Sequence, residues 1–141
     1  MKLKIKLLGP DGQVPTYGTA GAACFDIYAA EEATAHVGMR TIVRTQTAYE
    51  IPSGHVMLVF SRSGHGFKHS VRLSNCVGVI DADYRGELMV AIHNDGVMGF
   101  RVQKGDRIAQ AMIVPIPSVT FEVGELSETA RGEGGMGSTG Q

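Results

Sequence analysis

The chain has 141 residues, enough for one domain with a real core and too few to suggest two. A formal net charge of −1 gives no global field that would attract nucleic acid or an anionic membrane, so any anion site must be local. Nineteen glycines and no tryptophan fit a turn-rich β protein.

At the start, lysines 2, 4 and 6 alternate with Leu3, Ile5 and Leu7. The alternation predicts a half-buried strand with basic residues outward, ended by Gly9-Pro10, and lacks the continuous apolar core of a secretory signal. No stretch approaches the roughly 20 apolar residues of a membrane span. Cys24 and Cys76 stand in apolar contexts without C-x-x-C spacing and read as buried thiols, which predicts a reducing, cytoplasmic setting. Small residues from Tyr17 to Ala23 predict a loop, and Phe25-Asp26-Ile27-Tyr28 a strand in which Asp26 is either an outward residue or something more. Segments 37–45 and 48–51 are β-rich, and Pro52-Ser53-Gly54 makes a turn before the apolar run His55 to Phe60.

Ser61-Arg62-Ser63-Gly64 follows that run and precedes a predicted turn of helix over 65–69. Free N–H groups there, with Arg62 and the Ser63 hydroxyl, would make a compact phosphate cradle, although the same residues also suit an ordinary loop. His65 and His69 are four apart, as zinc ligands on a helix can be, but no third ligand or intervening acid accompanies them.

Asn75 to Glu87 reads N-C-V-G-V-I-D-A-D-Y-R-G-E. By the period of two, Val77, Val79 and Asp81 share a face, which predicts a carboxylate against an apolar wall. Taken alone the segment reads as a hairpin turn between 77–80 and 88–92, yet two acids, a tyrosine and an arginine exceed what a turn needs. A held carboxylate beside an aromatic ring can activate water next to a sugar-like ligand. Asn94-Asp95-Gly96 predicts a second tight turn. In the apolar run 107–117, Gln110 is either satisfied by backbone or offered to a ligand, and 119–123 predicts a last strand. About ten short strands and no long periodic helix argue for a sandwich or jelly roll. The tail from Arg131 to Gln141 has little apolar content; it is either a floppy end or a glycine-rich phosphate lid.

Five segments carry a resemblance: Ala23 to Ala29, Arg62-Ser63-Gly64, Asn75 to Glu87, Arg107-Ile108-Ala109-Gln110, and Arg131 to Thr139. In this order they resemble the trimeric dUTPase family, the dUTP diphosphatases, across nearly the whole chain. The resemblance implies an all-β jelly-roll subunit with a short helical turn after the Arg62-Ser63-Gly64 loop. It divides the chain into a domain over 1–124 and a flexible arm over 125–141 that closes a neighbouring active site. It also implies a homotrimer with shared active sites, dUTP as substrate, Mg²⁺ as cofactor, and neither nucleic acid nor membrane as partner.

Residue by residue, the resemblance makes Asp81 the general base and Tyr84 the ring that packs under deoxyribose. Asn75, with the strand backbone at Gly78 and Ile80, reads uracil. Arg62, Ser63 and Gly64 form the phosphate loop, Gln110 adds a polar contact, and Asp26 holds Mg²⁺ through water, the metal being held mainly by the triphosphate. Arg131, Gly137, Ser138 and Thr139 grip the γ-phosphate or its surroundings. Two positions depart from the family pattern: Cys24 replaces the usual glycine, and Met136 replaces the phenylalanine that caps the base. Two other readings share these residues, a dCTP deaminase on the same fold and a catalytically idle nucleotide-binding regulator. The intact Asp81, Tyr84 and arm argue against the deaminase.

Overall fold

The computed structural model describes residues 1–135. Twelve strands and one helix follow in the order β1 (Lys4–Leu7), β2 (Thr16–Tyr17), β3 (Phe25–Tyr28), β4 (Ala33–Ala35), β5 (Arg40–Arg44), β6 (Thr47–Glu50), β7 (His55–Phe60), α1 (Ser63–His69), β8 (Val71–Leu73), β9 (Val77–Ile80), β10 (Met89–Asn94), β11 (Phe100–Val102) and β12 (Arg107–Pro115). This is the expected all-β subunit of jelly-roll type, with the expected helical turn beginning at Ser63. Among the described residues no helix is long and apolar enough to cross a membrane.

The largest sheet has five strands in the order β2-β3-β12-β7-β9, all neighbours antiparallel. Its centre explains its sequence: β3 and β7 are rich in Phe, Ile, Met and Val because both faces are covered. Ile27 and Met57 are almost wholly enclosed, each worth about 1.5 to 3 kcal/mol of burial. A three-stranded sheet, β5-β10-β8, closes the core with Val43, Val90, Ile92, Val71 and Leu73. The buried polar residues Thr45, Thr47 and Asn94 find partners, whereas the Ser74 hydroxyl is enclosed without one among the described residues. The Thr45 hydroxyl bonds the Leu88 carbonyl at 2.5 Å, and the Asn94 amide donates to the carbonyls of Ala35 and Met98, each at 2.8 Å.

Four expectations change. Strands β9 and β10 are not a hairpin: β9 pairs with β7, whereas β10 pairs with β5 and β8, so the 81–88 segment crosses between sheets. Its far end is captured by β6, where the Leu88 N–H bonds the Thr47 carbonyl at 2.8 Å. Asn94-Asp95-Gly96 likewise turns the chain out of the sheet, its Gly96 N–H held at 2.9 Å by the Asn94 side chain. Segment 119–123 forms no strand: after the Ile116 N–H bond to the Gly54 carbonyl, no edge among the described residues receives it. Cys76 is exposed and Cys24 half-buried, both as free thiols. Cys76 lies at a left-handed turn residue (φ 61°) instead of inside a strand, which carries its side chain off the sheet.

Candidate active site

The sheet register aligns the first group of residues. Asp26 on β3 faces Gln110 on β12, which faces Phe60 on β7, so the loop that follows Phe60 opens at the same end as Asp26. Phe25, Asp26 and Ile27 are all buried, and a carboxylate there needs cationic partners. Arg62 Nε donates to one Asp26 oxygen at 3.1 Å and an Arg107 Nη to the other at 3.3 Å. Arg62 is further tied to the Arg107 carbonyl at 3.4 Å, and His65 Nε2 reaches that carbonyl at 2.7 Å. With a carbonyl as its partner, that ring nitrogen carries the proton. Gln110 Nε2 donates to the Ser61 carbonyl at 2.9 Å, so its amide nitrogen has a backbone partner.

The outcome is two guanidinium groups fixed side by side over one buried carboxylate. Beside them Ser61, Arg62, Ser63, Gly66, Phe67 and Gln110 line an open pocket of about 380 Å³. Helix α1 makes its first internal bonds from the His65 and Gly66 N–H groups to the Arg62 carbonyl, so the Ser63 and Gly64 N–H groups precede the ladder at an exposed end. His65 and His69 flank the Phe100 ring at 5.1 and 5.2 Å, and among the described residues no three metal-binding side chains cluster.

The second group lies at the sheet's edge. Gly78 is buried against Val59, where an added Cβ would approach the valine Cβ to 3.2 Å. Val77, Val79 and Asp81 do share a face, as the period of two demands, but Val79 is 63% exposed and Asp81 is open. The expected apolar wall is therefore an outer surface of this chain. Val79, Ile80, Asp81, Tyr84, Glu87, Leu88 and Met89 line a pocket of about 230 Å³. The Tyr84 N–H closes a turn on the Asp81 carbonyl at 3.2 Å, and the Tyr84 hydroxyl donates to the Glu87 carbonyl at 3.1 Å. The tyrosine ring lies over Gly86 so closely that any Cβ there would collide with it. Bonding to Arg44 holds the Glu87 carboxyl below the usual carboxylate range. Cys24 is pushed up by burial and by Asp26, so its thiol stays protonated.

These two groups are not brought together within one chain. Strands β7 and β9 are antiparallel with Phe60 opposite Val77, which places Asp81 opposite Val56, six residues back from Arg62. At about 3.3 Å per residue that is roughly 20 Å, well beyond the length of a triphosphate. Asn75 lies near Gly78, its amide nitrogen 3.8 Å from where a Cβ would sit. Arg131 donates to the Gly134 carbonyl at 2.7 Å within its own turn. Met136, Gly137, Ser138 and Thr139 lie outside the described residues.

A family model described as dUTPase matches residues 11–140. The chain belongs to the dUTPase family. A curated relative from Nautilia profundicola, named deoxyuridine 5′-triphosphate nucleotidohydrolase, is 44% identical over the whole of both chains. Among solved structures, the dUTPase of Staphylococcus bacteriophage 80alpha with dUpNHpp is 31% identical, covers 99% of each chain and superposes with a TM-score of 0.92. A mutant dUTPase from phage phi11 of S. aureus, described as coordinating a structural Mg(II) ion, is 26% identical with a TM-score of 0.83 over 92% of this chain and all of that one.

Within this dUTPase fold, sequence reasoning missed three residues of the neighbourhood. Arg107 carried a signal, since it opens one of the five segments, and a buried Asp26 demands cations. His65 shows in the sequence only the spacing of a metal ligand, not its bond to the Arg107 carbonyl. Arg44, which holds Glu87, gave no local signal at all.

Proposed function

We propose that the chain hydrolyses dUTP to dUMP and pyrophosphate, working as a homotrimer in which each active site draws on neighbouring subunits. This keeps uracil out of DNA and supplies dUMP for thymidylate synthesis. The observation that carries the reading is the roughly 20 Å between the paired arginines and Asp81, which one substrate bridges only if the two half-sites come from different chains. Two further features support assembly: the exposed Val77 and Val79 face beside Asp81, and the alternating apolar residues Val119, Phe121 and Val123 left outside the fold.

In this reading Asp81 accepts a proton from a water whose oxygen attacks the α-phosphorus in line, as the bond to the bridging oxygen breaks and pyrophosphate departs. Arg62, with the Ser63 and Gly64 N–H groups, holds the phosphates, and Gln110 keeps that loop in register through Ser61. Asn75 and the backbone at Gly78 and Ile80 read the base, and Tyr84 lies against deoxyribose. The donor set fits Mg²⁺ held mainly by the triphosphate, since the acids among the described residues do not cluster and each Asp26 oxygen keeps a lone pair for a metal-bound water. When bound, the metal supplies charge compensation for the leaving group. Residues 125–141 act as the closing arm, with Arg131, Gly137, Ser138 and Thr139 at the γ-phosphate and Met136 over the base. The two free thiols support a reducing cytoplasm as the setting.

The test mixes two inactive variants, Arg62→Ala and Asp81→Asn, after unfolding and refolding them together. Pyrophosphate release from dUTP with Mg²⁺ should return, because some sites then combine an intact Arg62 with an intact Asp81 from another chain. No recovery despite mixed trimers would sink the shared site, and ammonia from dCTP in place of pyrophosphate from dUTP would sink the reaction.

A further inference from the structure

Glu87 has no role assigned above, yet its carboxylate is bonded from both Arg44 and the Gln46 backbone. Both its oxygens take Arg44, with Nε at 3.3 and 3.1 Å and an Nη at 2.8 Å, and one oxygen also accepts the Gln46 N–H at 2.9 Å. Its side chain is only 14% exposed. Its own carbonyl is the acceptor of the Tyr84 hydroxyl. Arg44 stands on β5 directly across from Met89 on β10, and Met89 lines the pocket that holds Asp81 and Tyr84. The network therefore runs from the second sheet, through a bidentate ion pair, to the backbone atom that fixes the phenol.

We infer that Arg44 and Glu87 are a positioning pair: they seat the Tyr84 ring and so set how strongly the site rejects a ribonucleotide. The inference rests on the proposed reading of Tyr84 as the residue against deoxyribose. The ring is 44% exposed and lies over Gly86, where no side chain props it, so its tilt depends on where its hydroxyl is held. That acceptor belongs to Glu87, whose backbone goes where its carboxylate is clamped. Rejecting one extra hydroxyl requires the ring to stay put, because a small displacement opens the space the 2′-oxygen needs. Asp81 is less dependent on the pair, since it directly follows β9 and the Tyr84 N–H closes on its carbonyl. A bidentate arginine cannot be matched by lysine at this position.

Binding of dUpNHpp and of UpNHpp is titrated to the wild type, Arg44→Met and Glu87→Gln, alongside kcat and KM for dUTP. Both variants should lose about tenfold of the deoxyribo-to-ribo affinity ratio, the scale of one charge-assisted contact. KM for dUTP should rise more than kcat falls, and Arg44→Lys should recover only part of the ratio. A crystal structure of Arg44→Met should show the Tyr84 hydroxyl released from the Glu87 carbonyl. A ratio within about twofold of wild type in the folded variants, or an undisplaced Tyr84, overturns the positioning role while leaving the proposed function intact. A wild type that binds both analogues equally removes the sugar role of Tyr84 and this inference with it.

Discussion

The phosphate end and the nucleoside end of this chain are built on opposite plans. At the phosphate end every charged group is already held: Asp26 is buried, both its oxygens are taken, and Arg62 and Arg107 cannot swing without breaking bonds inside the chain. At the nucleoside end Asp81 is open, Val79 faces outward, and the strand carrying them is the last of its sheet. One half-site is preorganised by its own fold, and the other waits for a surface that this chain does not supply. Rigid donors suit an anion whose shape never changes, whereas a pocket that must close over a base gains from being completed late.

The comparison can be attacked from either side. Asp81→Asn should cost roughly 10² to 10⁴ in turnover, the size of a lost general base, with no change in melting temperature because the side chain supports nothing in the fold. A near-native rate would remove Asp81 from that role. Val79→Asp should leave a folded subunit that fails to assemble and fails to turn over dUTP, visible as a smaller species in sedimentation, since a charge is placed where an apolar contact is needed. Asp26→Ala should instead unfold the chain more easily, by about 2 to 4 kcal/mol, because it leaves two guanidinium groups without their shared acceptor. Denaturant melts of the subunit would show it, and an unchanged midpoint would mean that the phosphate end is not held as described.

The smallest effect concerns the buried core, where Tyr49 on β6 is enclosed. Burial pushes the Tyr49 phenol up to about 12, against an unfolded value near 10. Because the folded value is the higher, its contribution is complete below about pH 10 and is lost as pH rises towards 12. Tyr49→Phe should therefore lose less stability than the wild type across that window, a difference of about 2 to 3 kcal/mol at most. Parallel alkaline melts of the two proteins would expose a wrong assignment as superimposable curves.

How legible each end was in the sequence follows the same division. Strand periodicity located β3, β5, β6, β7 and most of β12, since their residues alternate or fill a covered strand. Pairing was not legible: 77–80 and 88–92 look like two arms of a hairpin, yet β9 pairs with β7 and β10 with β5 and β8, and Leu88 and Glu87 are captured by Thr47 and Arg44. Asp26 was undecided from its neighbours, because the cations that explain it are 36 and 81 positions away. The outward face of Val77 and Val79 was misread for a related reason. Alternation says which residues share a face and is silent on whether this chain or another covers it. Segment 119–123 has a strand's sequence without a strand's partner, so local pattern and observed structure disagree until a neighbour is counted.

That segment also bears on how the protein is made. Val119, Phe121 and Val123 alternate with Thr120 and Glu122, and a newly synthesised subunit shows this apolar row to the solvent with a single charge to guard it. Such a row pairs with any available edge, so the lone subunit is the vulnerable species in the life of the protein. Slow, dilute synthesis would prolong that exposure, and high local concentration of sister chains would shorten it. Yield on refolding should accordingly pass through an optimum in protein concentration, too little leaving orphans and too much joining the wrong edges.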